Sequence, residues 1–128
     1  MQRAALDAMA GTALEEQDKD QYIAAKTHSG HERIAVSDIR LLLADQRYVM
    51  AYLPSREVLL DIPLKEFESR YAHIFLRIHR NALVAKHFVQ ALERDDGNSV
   101  LRIADITLRP IVSRRMLSQV RKLIEGDS

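Results

Sequence analysis

A chain of 128 residues without cysteine has room for one domain and one sizeable core, and it can hold neither a disulfide nor a thiolate zinc site. Its 47% apolar and 5% aromatic content suits a globular protein; no run approaches the roughly 18 apolar residues of a membrane span, and Met1 to Asp7 lacks the apolar centre of a signal peptide. The formal charge of +1 is unevenly spread: residues 1–76 carry nine Lys/Arg against twelve Asp/Glu, and residues 77–128 carry ten against six, a mild pointer to a polyanionic partner.

Residues 1–20 read as a linker or helical lead-in, with Ala4 to Ala10 before Gly11 and then the acidic run Glu15, Glu16, Asp18 and Asp20. Strand signals begin at Tyr22. Tyr22 to Thr27 and Glu32 to Val36 flank the turn His28-Ser29-Gly30-His31. Ile39 to Ala44 is a dense apolar run that fits a strand buried on both faces. Tyr48 to Leu53 and Glu57 to Asp61 pair across Pro54-Ser55-Arg56. Pro63 opens a short mid-chain helix, since its missing N–H costs nothing in a first turn, and Leu64, Phe67 and Tyr71 fall at helical spacing.

The stretch Phe75 to Lys86 then alternates, with Leu76 and Ile78 on one side of a strand and Phe75, Arg77 and His79 on the other. The pattern breaks at Arg80-Asn81 before the apolar run Ala82 to Ala85. On spacing alone a solvated basic strand with a turn is favoured over a rigid presenter of hydrogen-bond donors to an anion. Phe88 to Leu92 is strand, Asp95-Asp96-Gly97-Asn98 is the strongest hairpin turn, Val100 to Ile103 returns, and Ile106 to Leu108 adds one more strand. Met116, Leu117, Val120, Leu123 and Ile124 form the stripe of a C-terminal helix that Gly126 stops and Ser113 caps. Arg114 and Arg115 in its first turn oppose the helix dipole, which an anion docked there would reverse.

The spacings do not suit catalysis. His73, His79 and His87 form no metal-ligand pattern, four dispersed glycines make no phosphate loop, and no GxSxG elbow is present. Asp95-Asp96-Gly97 lacks the Glu that a calcium loop needs. No enzyme, cofactor or metal is expected.

The segment Phe75-Leu76-Arg77-Ile78-His79-Arg80-Asn81-Ala82-Leu83-Val84-Ala85 resembles the signature of LytTR-type DNA-binding domains, the output domains of bacterial response regulators. Pro110-Ile111-Val112-Ser113-Arg114-Arg115 resembles the closing motif of that family, Leu41 to Val49 its first recognition loop, and Val58 to Glu66 the strand and helix between. Order and spacing agree from about Tyr22 to Ile124, and the form of the central motif is closest to the alginate-regulator-like branch. The chain departs from the wider family at Ala85, where many members have Asn, and at Asn81, where Ser or Cys is usual.

The resemblance implies a mainly β fold: an elongated antiparallel arrangement of about ten short strands with a mid-chain and a C-terminal helix, occupying residues 21–128. It implies sequence-specific binding of duplex promoter DNA at repeated sites, with loops entering successive major grooves and bending the duplex. By position, Arg47, Arg80 and Arg114 would contact bases, while Tyr48, His79, Asn81, Lys86, Ser113 and Arg115 would contact the backbone or support. It also implies a cytoplasmic two-component regulator, dimeric on DNA, with an upstream receiver domain that 20 residues cannot hold, so that the chain is expected to be an excised fragment. The alternatives are a β-rich protein-interaction or sensory module with a basic anion-binding face, and single-stranded RNA binding. The few aromatics weaken the latter.

Overall fold

The computed structural model describes residues 21–126; the expected linker at 1–20 lies outside them. The described residues hold nine strands, two α-helices and three 3-10 turns. The strands and helices follow the order β1 (Tyr22–Thr27), β2 (Gly30–Ala35), β3 (Leu41–Ala44), β4 (Val49–Leu53), β5 (Arg56–Leu60), α1 (Leu64–Arg70), β6 (Phe75–His79), β7 (Ala82–Ala85), β8 (Val89–Asp95), β9 (Asn98–Ile103) and α2 (Leu117–Ile124). Seven strands form one antiparallel sheet in the order β2-β1-β5-β4-β3-β7-β6, and β8 pairs with β9 apart from it.

The sheet is covered on both faces. On one, α1 places Leu64, Phe67 and Tyr71 against Leu42, Leu83 and Phe75. Phe67 meets Phe75 edge-on at 6.0 Å, the geometry that aromatic quadrupoles prefer. On the other, the β8–β9 hairpin and α2 place Leu101, Ile103 and Val120 against Leu41, Ile78 and Val84. Neighbouring residues Leu41 and Leu42 therefore enter different cores, as a pleat requires, and all of β7 is buried. That is why both strands read as unbroken apolar runs.

The tenth expected strand, Ile106 to Leu108, is not formed. Asp105 takes a left-handed φ of 72°, Pro110 has no N–H to offer a ladder, and among the described residues the chain meets β9 only beyond that segment, at residues 110–112. The Asp96-Gly97 turn has positive φ at both residues, 54° and 85°, which matches the right-handed twist of its strands. At the other edge of the sheet, Arg56 reaches over β1 to Glu32 at 2.8 Å; this hydrogen bond lowers the Glu32 pKa and raises that of Arg56. Burial, and then the charge of Glu57, pushes the Tyr52 phenol up.

Among the described residues, one charged side chain is buried. Arg40 is 9% exposed, stacks 3.6 Å from the Phe88 ring centroid, and donates to the Asp38 carbonyl at 2.9 Å and to Asp105 Oδ2 at 2.9 Å. Its own carbonyl accepts from Ala85 N–H at 3.0 Å, so it links β7 to the loop before β3. Removing a buried cation that is hydrogen-bonded on all sides leaves its partners orphaned. Arg40→Ala is therefore expected to lower unfolding free energy by about 3 kcal/mol. Asp105→Asn keeps an acceptor and a tolerant left-handed residue, and is expected to cost less than about 1 kcal/mol. Urea denaturation followed by circular dichroism ranks the two.

Candidate nucleic-acid interface

The site is built around the β6–β7 hairpin. Its two-residue connection is Arg80-Asn81, between the paired residues His79 and Ala82. Neither turn residue has positive φ, so this is not the primed turn that matches strand twist. A bulge takes up the mismatch: the register runs from Arg77↔Leu83 to His79↔Ala82, leaving Ile78 with no partner in the ladder. The side chains of Leu76 and Ile78 still share the second core, as the alternation required.

The bulge frees a carbonyl, and Ser113 N–H donates to it at 2.8 Å. This bond seats the 3-10 turn Arg114–Met116 against the hairpin. At the tip, Asn81 C=O accepts from Ala44 N–H, also at 2.8 Å, which holds the end of β3 and so the loop 45–48. That loop is closed by Asp45 N–H on Tyr48 C=O at 2.8 Å and by Gln46 N–H on Asp45 Oδ1 at 2.7 Å. Two segments far apart in sequence are thus tied by backbone hydrogen bonds to one hairpin.

The side chains sort into three places. His79, Arg80, Lys86, Ser113 and Arg115 line one groove of about 810 Å³ along the β6 edge of the sheet. Asn81 faces the other side of the hairpin. Arg47 and Tyr48 border a separate shallow depression against residues 60–64, and Arg114 is exposed at the start of its turn. Sequence position alone does not show this separation.

The electrostatics divide the cations. Lys26, Arg40, Arg56, Arg70, Arg77, Arg102 and Arg109 each have a carboxylate within salt-bridge distance. Among the described residues, Arg47, Arg80, Lys86, Arg114 and Arg115 have none; nor do Arg33, Lys65, Arg94, Arg121 and Lys122, which line neither the groove nor the hairpin turn. Long charged side chains left without counter-ions keep their donors for an external anion.

Two expectations change here. Ser113 makes no side-chain cap; its contribution is the backbone N–H given to Ile78. Arg114 and Arg115 lie in a 3-10 turn, and α2 begins only at Leu117, so the argument from the helix dipole does not reach them. The pairing of Arg77 and Glu68 also escaped sequence reasoning. From 23% exposure, Arg77 donates Nε at 3.1 Å and Nη2 at 2.7 Å to Glu68 Oε1 on α1, and Nη1 to the Arg80 carbonyl. Nine residues separate the pair, and no helical or strand period links them.

The model of the family described as the LytTr DNA-binding domain matches residues 29–125. The chain is 38% identical over 105 residues to the positive alginate biosynthesis regulatory protein of Pseudomonas aeruginosa, an alignment covering 80% of this chain and 42% of that protein. The chain therefore spans less than half the length of that relative. A solved LytTr DNA-binding domain, from a Bacillus cereus protein described as a methyl-accepting/DNA response regulator, superposes with a TM-score of 0.70 at 24% identity, covering 81% of this chain and 96% of that one.

Because Arg77 clamps the Arg80 carbonyl, Arg77→Ala is expected to loosen the turn without unfolding the sheet. Amide exchange at Asn81 and Ala82 should quicken about tenfold, while exchange in β4 stays unchanged, as expected for loss of a local charge-assisted bond. Arg77→Lys should not restore protection, since an ammonium cannot bridge two acceptors in fixed planar geometry.

Proposed function

This chain belongs to the LytTr DNA-binding domain family, and from that membership we propose that it binds duplex DNA sequence-specifically as the output domain of a bacterial transcriptional regulator. The observation that carries the reading is that five cations without counter-ions, Arg47, Arg80, Lys86, Arg114 and Arg115, gather on the β6–β7 hairpin, the residue after it, and the two segments hydrogen-bonded to it. Such an arrangement suits a phosphate-lined groove with base edges at its floor.

In this reading Arg80 is the central base reader, on the turn that projects from the sheet. Arg47 and Arg114 read on either side. An arginine presents two parallel donors to guanine O6 and N7, each such pair worth roughly 1–3 kcal/mol of discrimination. Lys86, Arg115 and His79 hold phosphates along the groove, with Tyr48, Asn81 and Ser113 supporting. The segments enter successive major grooves, and the duplex bends to meet both outer segments, a deformation offset by the larger interface it allows. Two molecules occupy repeated sites. The whole protein carries a receiver domain ahead of this one, acts in a two-component system and works in the cytoplasm. None of these steps requires a cofactor or a catalytic group.

Fluorescence anisotropy against cognate and scrambled duplexes over a salt series tests the reading. Affinity should fall with a log–log slope of about −0.9 per phosphate contact. Arg80→Ala and Arg114→Ala should each erase about 10- to 100-fold of the preference for the cognate duplex. Lys86→Ala should weaken both duplexes alike and lower the salt slope by about one. Equal wild-type affinity for the two duplexes at physiological salt defeats the proposal.

A further inference from the structure

Two large apolar side chains stand in solvent beside the hairpin. Leu108 is 41% and Ile111 46% exposed, and neither belongs to a core. Single surface apolars are ordinary. These two, however, line one cleft of about 370 Å³ with Leu43, Ala44, Asn81 and Ala82. It lies across the β6–β7 hairpin from the basic groove, and His79 lines both. Its wall includes the Ala44–Asn81 hydrogen bond that joins the first loop to the turn.

The backbone that carries the pair is pinned. Pro110 C=O accepts from Leu101 N–H at 3.0 Å, Ile111 bridges to Val100, and Val112 N–H donates to Ser99 C=O at 2.8 Å. Arg109, between them, is held by Glu93 at 2.6 Å. An apolar surface already fixed in place loses little freedom on meeting a ligand. The guanidinium in the lining is engaged by Glu93, which it shares with Arg102, so only part of its charge is left for a phosphate. The cleft offers apolar surface at the lip of a turn that faces base edges. In the major groove the apolar group on a base edge is the C5-methyl of thymine.

We propose that Leu108 and Ile111 receive thymine C5-methyl groups beside the base contacted by Arg80, which makes them specificity-determining residues. The inference rests on the DNA-binding reading above. It separates thymine from cytosine, whose C5 carries no methyl, at positions that no arginine reads. One methyl buried against an alkyl side chain changes affinity by about fourfold.

Uracil scanning tests it. A cognate duplex is selected from a random library with the wild-type chain, and each thymine is replaced in turn by uracil, which differs only in lacking the methyl group. Wild type should lose about fourfold in affinity at one or two positions next to an arginine-read guanine. Leu108→Ala and Ile111→Ala should bind thymine and uracil duplexes alike at those positions, while keeping their preference at the guanine. Both residues lie outside the cores, so thermal midpoints should stay close to wild type. Indifference of wild type to every uracil overturns the inference, as does an equal uracil penalty in wild type and variants. If the variants weaken on thymine and uracil duplexes equally, the contact is not to the methyl group, and the inference again fails. Wild type that discriminates cognate from scrambled DNA but ignores uracil defeats this inference alone. Wild type that does not discriminate at all defeats the DNA-binding reading beneath it.

Discussion

A β-ladder has to place every backbone N–H and C=O, and a bulge leaves one residue out of that pairing. Here the residue is Ile78, and its carbonyl is taken by the N–H of Ser113. The rest of the candidate site follows from that bond. It brings the chain back from β9 to the edge strand, sets the start of the Arg114–Met116 turn, and closes the basic groove along β6. The Ile78 side chain points into the second core, so packing holds the bulge in place from below. A defect elsewhere in the sheet could be absorbed locally; a defect here would move an arginine.

The second constraint is the way Arg77 and Arg80 divide their work. Both are arginines on one hairpin, three residues apart. Arg77 is turned inward to Glu68 and donates from Nη1 to the Arg80 carbonyl, while the Arg80 guanidinium has no carboxylate partner among the described residues. One cation is used to fix the backbone from which the other projects. Arg40 does similar work deeper in the molecule, where its guanidinium meets two carbonyls, a carboxylate and a ring. The structure uses arginine as a rigid multi-donor brace in two places, and that role is silent in any count of charge.

What could be read from the sequence was what local chemistry enforces. Asp96-Gly97 announces a hairpin because both residues tolerate left-handed backbone, and Pro63 with Leu64, Phe67 and Tyr71 announces a helix with one buried stripe. The apolar runs at Leu41 to Leu43 and Ala82 to Ala85 signalled strands covered on both faces. What could not be read depended on distant partners. Ile106 to Leu108 has strand composition but lies between a left-handed Asp105 and Pro110, and the chain meets β9 only beyond it, at residues 110–112. Ser113 has the chemistry of a cap, yet its side chain makes none, and its contribution is the backbone N–H given to Ile78. The family motifs drew attention to these residues, but not to which of them share a groove, because that depends on a bulge with no signature of its own.

The Arg80-Asn81 turn has one more consequence, for how such a domain can change over generations. Its side chains are exposed, reach no core, and are positioned through backbone atoms that any residue other than proline supplies. Ile78, just before the turn, is fully buried and cannot be exchanged so freely. Under the DNA-binding reading proposed above, recognition and foldedness are held by different atoms, and the vocabulary of target sites can drift by substitutions at the tip, at almost no thermodynamic risk to the scaffold beneath.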